Sequence, residues 1–385
     1  CYFYGTSELL FCDNDTNTPK LYAKETPGYF KDGFHEAVIN GQQQAVNPDQ
    51  QGTKACGHYT FMVPSNEKIE VRLRLSKKKH KQAFSDFDQI FARRLHEADA
   101  FYSQLQKELA DDEVRMIQRQ AFAGMIWSKQ FYYYDIPQWQ NGDPGQPKPS
   151  SERRKIRNTN WQHLNNADII SMPDKWEYPW YASWDLAFHC ITLAVIDPTF
   201  AKSQILLMTR VWYMHPNGQI PAYEWSFDDV NPPVHAWAAW EVYKAERDAN
   251  GGKGDLDFLE RCMHKLIVNF TWWVNRKDVD NNNVFQGGFL GLDNIGVFDR
   301  SAPLPTGGHL DQADGTSWMA MYSLNLMRIA LELSLHKNAY DDIATKFFEH
   351  FLYIAEAMPH IGDNGIGLWN DNDEFFYDVL RFPNG

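Results

Sequence analysis

The chain is short of positive charge. Its 37 Lys and Arg stand against 50 Asp and Glu, leaving a net charge of −13. No basic face is available for nucleic acid or an anionic membrane surface, so neither is expected as a partner. Cysteine is scarce as well. Cys1, Cys12, Cys56, Cys190 and Cys262 are scattered, odd in number and without metal-ligand spacing. They read as free thiols of a reducing compartment, which points to the cytoplasm. No apolar run reaches the roughly 18 residues that a membrane span needs. GxGxxG is absent, and no glycine-rich segment ends in GKS or GKT, which excludes a dinucleotide fingerprint and a P-loop. Neither Ser-His-Asp nor Cys-His arrangements have local support. There is no initiator Met and no signal peptide. The chain opens within CYFYGTSELLF and stops at Asn384-Gly385, and it reads as a piece cut at both ends, so a missing leader says nothing about localisation.

Aromatic residues, in contrast, are abundant: 14 Trp, 18 Tyr and 25 Phe. They supply either a large core or stacking surfaces for the apolar faces of sugar rings. They are densest over 172–190, MPDKWEYPWYASWDLAFHC, where Trp176, Tyr178, Trp180, Tyr181 and Trp184 surround Glu177 and Asp185. Ser183 reads as the N-cap of an apolar helix from Leu186 to Val195, with Asp185 in its first turn. The helix dipole lowers the pKa of such a carboxyl group, whereas an aromatic wall desolvates it and raises the pKa. A carboxyl at the floor of an aromatic hollow is what a sugar site needs, and Asp185 is the candidate acid. His189, one turn on, reads as a satisfied core histidine.

The hydrophobic period changes along the chain. Residues 1–80 read as β, with strands at Leu9–Cys12, Ala55–Val63 and Lys68–Ser76; KIEVRLRLS alternates with period two. The basic run 76–82 reads as a solvated linker. Residues 84–108 form an amphipathic helix with Phe84, Phe87, Ile90, Phe91 and Leu95 on one side, and a second helix runs from about Asp112 to Tyr134. Asp197-Pro198 opens a helix to Met214, and Asn231-Pro232 opens another to about Asn250. Asp255 caps a helix ending near Arg276-Lys277; two more cover 315–336 and 338–358. Connections near 196, 249–254 and 337 are short, whereas 135–182, 215–231, 278–314 and 359–385 are long. Antiparallel helices in succession place alternate loops at opposite ends, so all the long loops fall on one face. No sequence repeat accompanies this repeat of architecture.

The long loops hold the remaining candidates. In 218–233, Glu224 sits between Tyr223 and Trp225. Residues 287–318 contain seven glycines with Asp293, Asn294, Asp299, Arg300, Asp311, Gln312, Asp314 and Trp318. Glycines admit backbone close to a ligand, and carboxylates and Arg hold hydroxyls by paired hydrogen bonds. DVDNNN at 278–283 offers oxygens at alternate positions but lacks the glycine and distant Glu of a calcium loop, so it reads as a polar turn, as does DNDE at 371–374. No metal and no cofactor is expected. The acceptor sequence NFT at 269–271 lies within a helix and reads as fortuitous.

The stretches ISMPDKWEYPWYASWDLAFH, HPNGQIPAYEW, NFTWWVNRKD and GGFLGLDNIGVFDRS resemble glycoside hydrolase family 63, whose members include processing α-glucosidase I and bacterial relatives acting on glucosides and mannosylglycerate. The resemblance runs over essentially the whole chain. It implies a mainly α fold: the end of a β-sandwich domain (1–80), a helical linker (81–111) and an incomplete (α/α)6 barrel (112–385). It further implies inverting hydrolysis of an oligosaccharide or small glycoside, in which two carboxyl groups roughly 6.5–9.5 Å apart flank the bond. The acid falls on Asp185. Gly291, Leu292, Asp293, Asn294, Asp299 and Arg300 match the substrate loop, and Trp176, Glu177, Tyr178, Trp184, Glu224, Trp225, Asp314 and Trp318 are expected to shape the sugar subsite. The general base is a Glu near the C-terminal end of the family's barrel. No motif here matches it, so it is expected beyond Gly385, with Glu224 and Asp314 as in-chain stand-ins. A carbohydrate-binding protein that kept the cleft without the chemistry, and a trehalase-like hydrolase, are the alternatives.

Overall fold

The computed structural model describes all residues except 6–7, 157, 160, 175, 178–180, 224–229, 277–280, 286–304, 306, 362–365 and 383–385. The fold is mainly α and divides into two compact units, Cys1–Gln104 and Leu105–Gly385.

In the first unit, β2 (Glu8–Cys12) pairs antiparallel with β3 (Lys54–His58), and β1 (Tyr2–Phe3) pairs with β4 (Leu73–Arg74). Of the strand expected over Lys68–Ser76, only Leu73–Arg74 joins a ladder. Two short helices, α1 (Thr18–Tyr22) and α2 (Gly33–Val38), lie between β2 and β3. Leu10, Ala37 and Val46 form the small core, with Phe34 and Cys56 against it. Helix α3 (Phe87–Leu105) closes the unit, its first turn bearing stacked Phe87 and Phe91 rings 4.8 Å apart.

The second unit opens with α4 (Asp112–Trp127), capped by Asp111, whose Oδ1 accepts the Glu113 and Val114 amides. The helix expected to reach Tyr134 stops at Trp127. KQFYYYD becomes β5 (Lys129–Asp135), paired with β6 (Asn165–Ser171), in register from Lys129 with Ser171 to Asp135 with Asn165. Phe131 and Tyr133 face out while Tyr134 is buried, the alternation of a half-buried strand. The short helix α5 (Ile136–Asn141) follows β5.

Six helices then make the frame: α6 (Ser183–Ile196), α7 (Pro198–Met208), α8 (His235–Ala249), α9 (Leu256–Val274), α10 (Ala313–Ser334) and α11 (Ala339–Ala357). Helix α6 packs on α8 and α8 on α10; each also packs on the helix that follows it, and α7 packs on α9. The result is a two-layered arc, with α6, α8 and α10 in one layer. Phe270 of α9 shows how the layers interlock: its ring meets Tyr322, Phe347 and His350 at centroid distances of 5.5, 5.0 and 5.1 Å. Expected boundaries moved for local reasons. Asn231-Pro232 does not open α8, because Pro233 forces Pro232 out of the helical region and the helix starts at His235. Helix α7 ends at Met208 rather than Met214.

The short connections lie at one end and are pinned by charge. Asp197 alone separates α6 from α7, and its Oδ1 accepts the Phe200 amide. Lys202 of α7 donates to Glu246 at the end of α8 (2.8 Å) and to Asp255, the cap of α9 (2.7 Å). Tyr243 donates to Glu332, and Lys337 and Tyr340 donate to Glu260. Burial works to raise the Asp255 carboxyl, but the Lys202 ammonium and the Phe258 amide outweigh it and hold the pKa low. Lys202→Met is expected to cost about 2 kcal/mol, the order for hydrogen bonds to charged groups. Because the Asp255 pKa is depressed, its contribution is present above its unfolded value near 3.9 and lost as pH falls through the folded one. Denaturant melts of the two proteins should therefore differ at pH 7 and converge below about pH 4.

Candidate active site

The first turns of α6, α8 and α10 lie at the opposite end. Ala182 forms an antiparallel bridge with Tyr223. The Ser183 amide donates to Ala222 O (3.1 Å) and its hydroxyl to Pro221 O (2.7 Å). Ser183 is thus the first helical residue and not the N-cap; Ala182 is the cap, and the hydroxyl is spent on the 218–223 loop. That loop is itself held by Asn269, which donates to Gly218 O at 2.7 Å. Gly218 has φ +98°, and a Cβ there would stand 2.5 Å from Val268 O, so only glycine lets the loop lie this close to α9. Asn269 is also the asparagine of the NFT sequence. At 3% exposure, with its amide committed to Gly218, it is no glycosylation acceptor in the folded protein.

Asp185 occupies the third position of α6 and is half-buried. Burial raises its pKa; its own backbone N–H and His189 act in the opposite sense and do not overcome it. Desolvation therefore outweighs the helix terminus, and the carboxyl holds its proton to higher pH than an exposed Asp does, as a proton donor requires. His189, one turn on, is lowered by burial against the opposing effects of Asp185 and the Ser171 backbone, and its Nδ1 lies 3.0 Å from Ser171 Oγ.

The aromatic wall is redistributed. Trp184 meets Phe188 edge to face at 5.5 Å, and Phe188 meets Trp237 of α8 at 5.5 Å. Trp237 was not singled out by the sequence, because only helix packing brings it against Phe188. Tyr181 is fully buried, edge-on to Tyr213 at 5.3 Å with its hydroxyl donating to Tyr213 O, so it belongs to the core and not to a hollow. Trp176 is 79% exposed, and Asp174 Oδ1 accepts the Trp176 and Glu177 amides in a tight turn that leaves Glu177 exposed. Tyr178 and Trp180 lie outside the described residues, as do Glu224, Trp225, Asp293, Asp299 and Arg300.

Helix α10 contributes Asp314 in its first turn, with Oδ1 accepting the Gly315 amide, and Trp318 one turn on; both are half-buried. Its start is built by distant chain. β8 (Val379–Arg381) pairs antiparallel with β7 (His309–Asp311), Arg381 Nε lies 2.7 Å from the fully buried Asp311 Oδ2, and Asp378 Oδ1 accepts the Ala313 amide at 2.8 Å. Asp378 and Arg381 carried no sequence signal, since their partners lie some 70 residues away. Residues 370–373 form a turn in which Asn370 Oδ1 accepts the Asn372 and Asp373 amides. Among the described residues no group of three His, Cys, Asp or Glu side chains is placed to hold a metal ion.

Residues 178–294 match the model of the mannosylglycerate hydrolase MGH1-like glycoside hydrolase domain. The chain is 52% identical over 399 aligned positions to an uncharacterized protein of Saccharomyces cerevisiae, covering 97% of this chain and 37% of that protein. It thus spans little more than a third of that relative's length. Among solved structures, a GH63 mannosylglycerate hydrolase from Thermus thermophilus in complex with Tris is similar at 12% identity and a TM-score of 0.41, covering 55% of this chain and 64% of that one. An uncharacterized conserved protein from the same organism gives 14% identity and a TM-score of 0.42, over 55% and 62%.

Proposed function

We propose that this chain, a relative of the family 63 glycoside hydrolases, forms part of the catalytic domain of a glycosidase that hydrolyses an α-glucoside-like bond with inversion. The observation that carries the reading is Asp185: a half-buried carboxyl with a raised pKa, in the first turn of α6, inside the segment that matches a glycoside hydrolase domain. As general acid it protonates the glycosidic oxygen as the bond to the anomeric carbon breaks, and the leaving group departs as a neutral alcohol. A second carboxylate, roughly 6.5–9.5 Å away across the sugar, takes a proton from the attacking water. Trp184 precedes the acid in the chain and meets Phe188, which in turn meets Trp237 of α8, and the half-buried Asp314 and Trp318 stand at the start of α10.

Proton NMR of the full-length protein acting on α-glucosides, α-mannosides and mannosylglycerate tests this directly. The first anomer released should have the β configuration. Retention of configuration, or no turnover on any glycoside of the panel, would overturn the proposal.

A further inference from the structure

Trp369–Asn370 pairs antiparallel with Phe375–Phe376 in a hairpin around the acidic turn 371–374. Main-chain bonds fix it on both sides. Leu368 N donates to Met358 O at the end of α11 (2.7 Å), and Tyr377 N donates to Leu368 O (2.7 Å). The next residue, Asp378, accepts the Ala313 amide at the start of α10. Alternation along the strands sorts the rings into two faces. Trp369 and Phe376 lie opposite each other on one, edge to face at 4.9 Å, and Trp369 Nε1 donates to Asp371 Oδ1. Phe375 and Tyr377 share the other, 5.3 Å apart and 60% and 48% exposed, with the Tyr377 hydroxyl donating to Asp373 Oδ2 at 3.4 Å. Two adjoining rings held in place and left bare mark a surface that binds something.

The charges around the rings narrow what that is. Residues 366–377 carry Asp371, Asp373 and Glu374 and no Lys, Arg or His. An anionic partner is repelled, and so is a second copy of a chain with net charge −13. A neutral polyol fits: its C–H faces stack on the rings, and its hydroxyls donate to the carboxylates. Position narrows it further. Helix α8 stands between α6 and α10, so at about 8–10 Å between packed axes the edge of α10 is up to about 16–20 Å from α6. A single sugar ring bound at Asp185 does not reach the hairpin; a chain of sugars does. We propose that the Phe375–Tyr377 face is a saccharide-binding platform on the leaving-group side of the site, and that the substrate is accordingly an oligosaccharide and not a small glycoside. The inference rests on Asp185 marking the reacting bond.

Two measurements on the full-length protein test this. Hydroxyl-radical footprinting of the ligand-free protein should label Phe375 and Tyr377. Oligosaccharides of the maltose and isomaltose series should suppress that labelling increasingly with length, and glucose should not. In kinetics, the ratio of kcat/KM on the longest oligosaccharide turned over to that on 4-nitrophenyl α-D-glucopyranoside should fall by about tenfold in Phe375→Ala. Phe375→Trp, which keeps a ring face, should hold the ratio within about twofold of wild type. Thermal melts check that both variants fold. A loss equal on long and short substrates leaves the ratio unchanged and would overturn the proposal, as would rings unprotected by both series. Rings already unlabelled before any sugar is added, covered by another part of the protein or a second copy, would overturn it too. Footprinting needs no turnover: if Asp185→Asn stays active, the acid assignment fails while the protection pattern still decides whether the hairpin binds sugar.

Discussion

Asp185→Asn is expected to lower turnover by at least about a hundredfold, the usual order for losing acid catalysis, and to leave the protein at least as stable as before. The two effects have one cause. Burial raises the Asp185 pKa above its unfolded value near 3.9. Between those two values the folded protein keeps a proton that the unfolded chain has released, so stability falls as pH rises through the window. Above the folded pKa the native state carries the whole cost of a half-buried carboxylate. An asparagine has nothing to ionise. The melting temperature of the variant should therefore match the wild type below about pH 4 and equal or exceed it at pH 7. For the enzyme, the raised pKa places the basic limb of the activity profile above the ordinary Asp range. Near-normal turnover in the variant would remove Asp185 from the mechanism. A variant less stable than wild type at pH 7 would mean that the carboxyl is held by bonds, not penalised by burial.

The second large effect is expected at Arg381. Its guanidinium meets a carboxyl group with no exposed surface, Asp311, at 2.7 Å. Removing one partner of such a pair costs about 3–5 kcal/mol, because the other charge remains in a medium that cannot solvate it. Arg381→Met should lower the unfolding free energy read from denaturant melts by that amount. Asp311→Leu combined with Arg381→Met should recover much of the loss, since replacing both charges by apolar groups removes the penalty together with the attraction. Arg381→Lys should fall between, keeping the charge without the planar fork. A double variant no better than Arg381→Met would show that the pair does more than balance its own desolvation. The site should feel the single change too, for β7 leads directly into the first turn of α10 and Asp314.

What could be read from the sequence was what is decided locally. Asp197-Pro198 and Asp255 cap their helices through their own side chains, three residues from the amides they bind. The alternation of short and long connections follows from helix lengths, and the ends it assigned are those where Lys202 bonds Glu246 and where Ser183 bonds Pro221. The first-turn position of Asp185 was equally local. Losses came where a distant partner decides. KQFYYYD continues a helical pattern until β6, more than thirty residues on, offers it a ladder. Ser183 has an N-cap's chemistry, but its hydroxyl finds Pro221 instead. Tyr181 counted as a wall of the hollow until Tyr213 drew it into the core. Trp237, Asp378 and Arg381 act only through residues on other elements, and no spacing announces them.

The cap of α10 also has a history. Helices α4, α5, α7 and α9 of the second unit are each capped by the side chain of the residue just before them, which the ribosome has already delivered. Ala313 instead donates to Asp378, 65 residues downstream. At about 5–20 residues per second, α10 and α11 emerge and pair some seconds before their first turn can be sealed. During that interval the nascent protein has its frame but not this edge of its mouth. The start of α10 is thus the last part of the described site to be made, and the point at which a stalled or truncated translation product would be left open to proteases and chaperones.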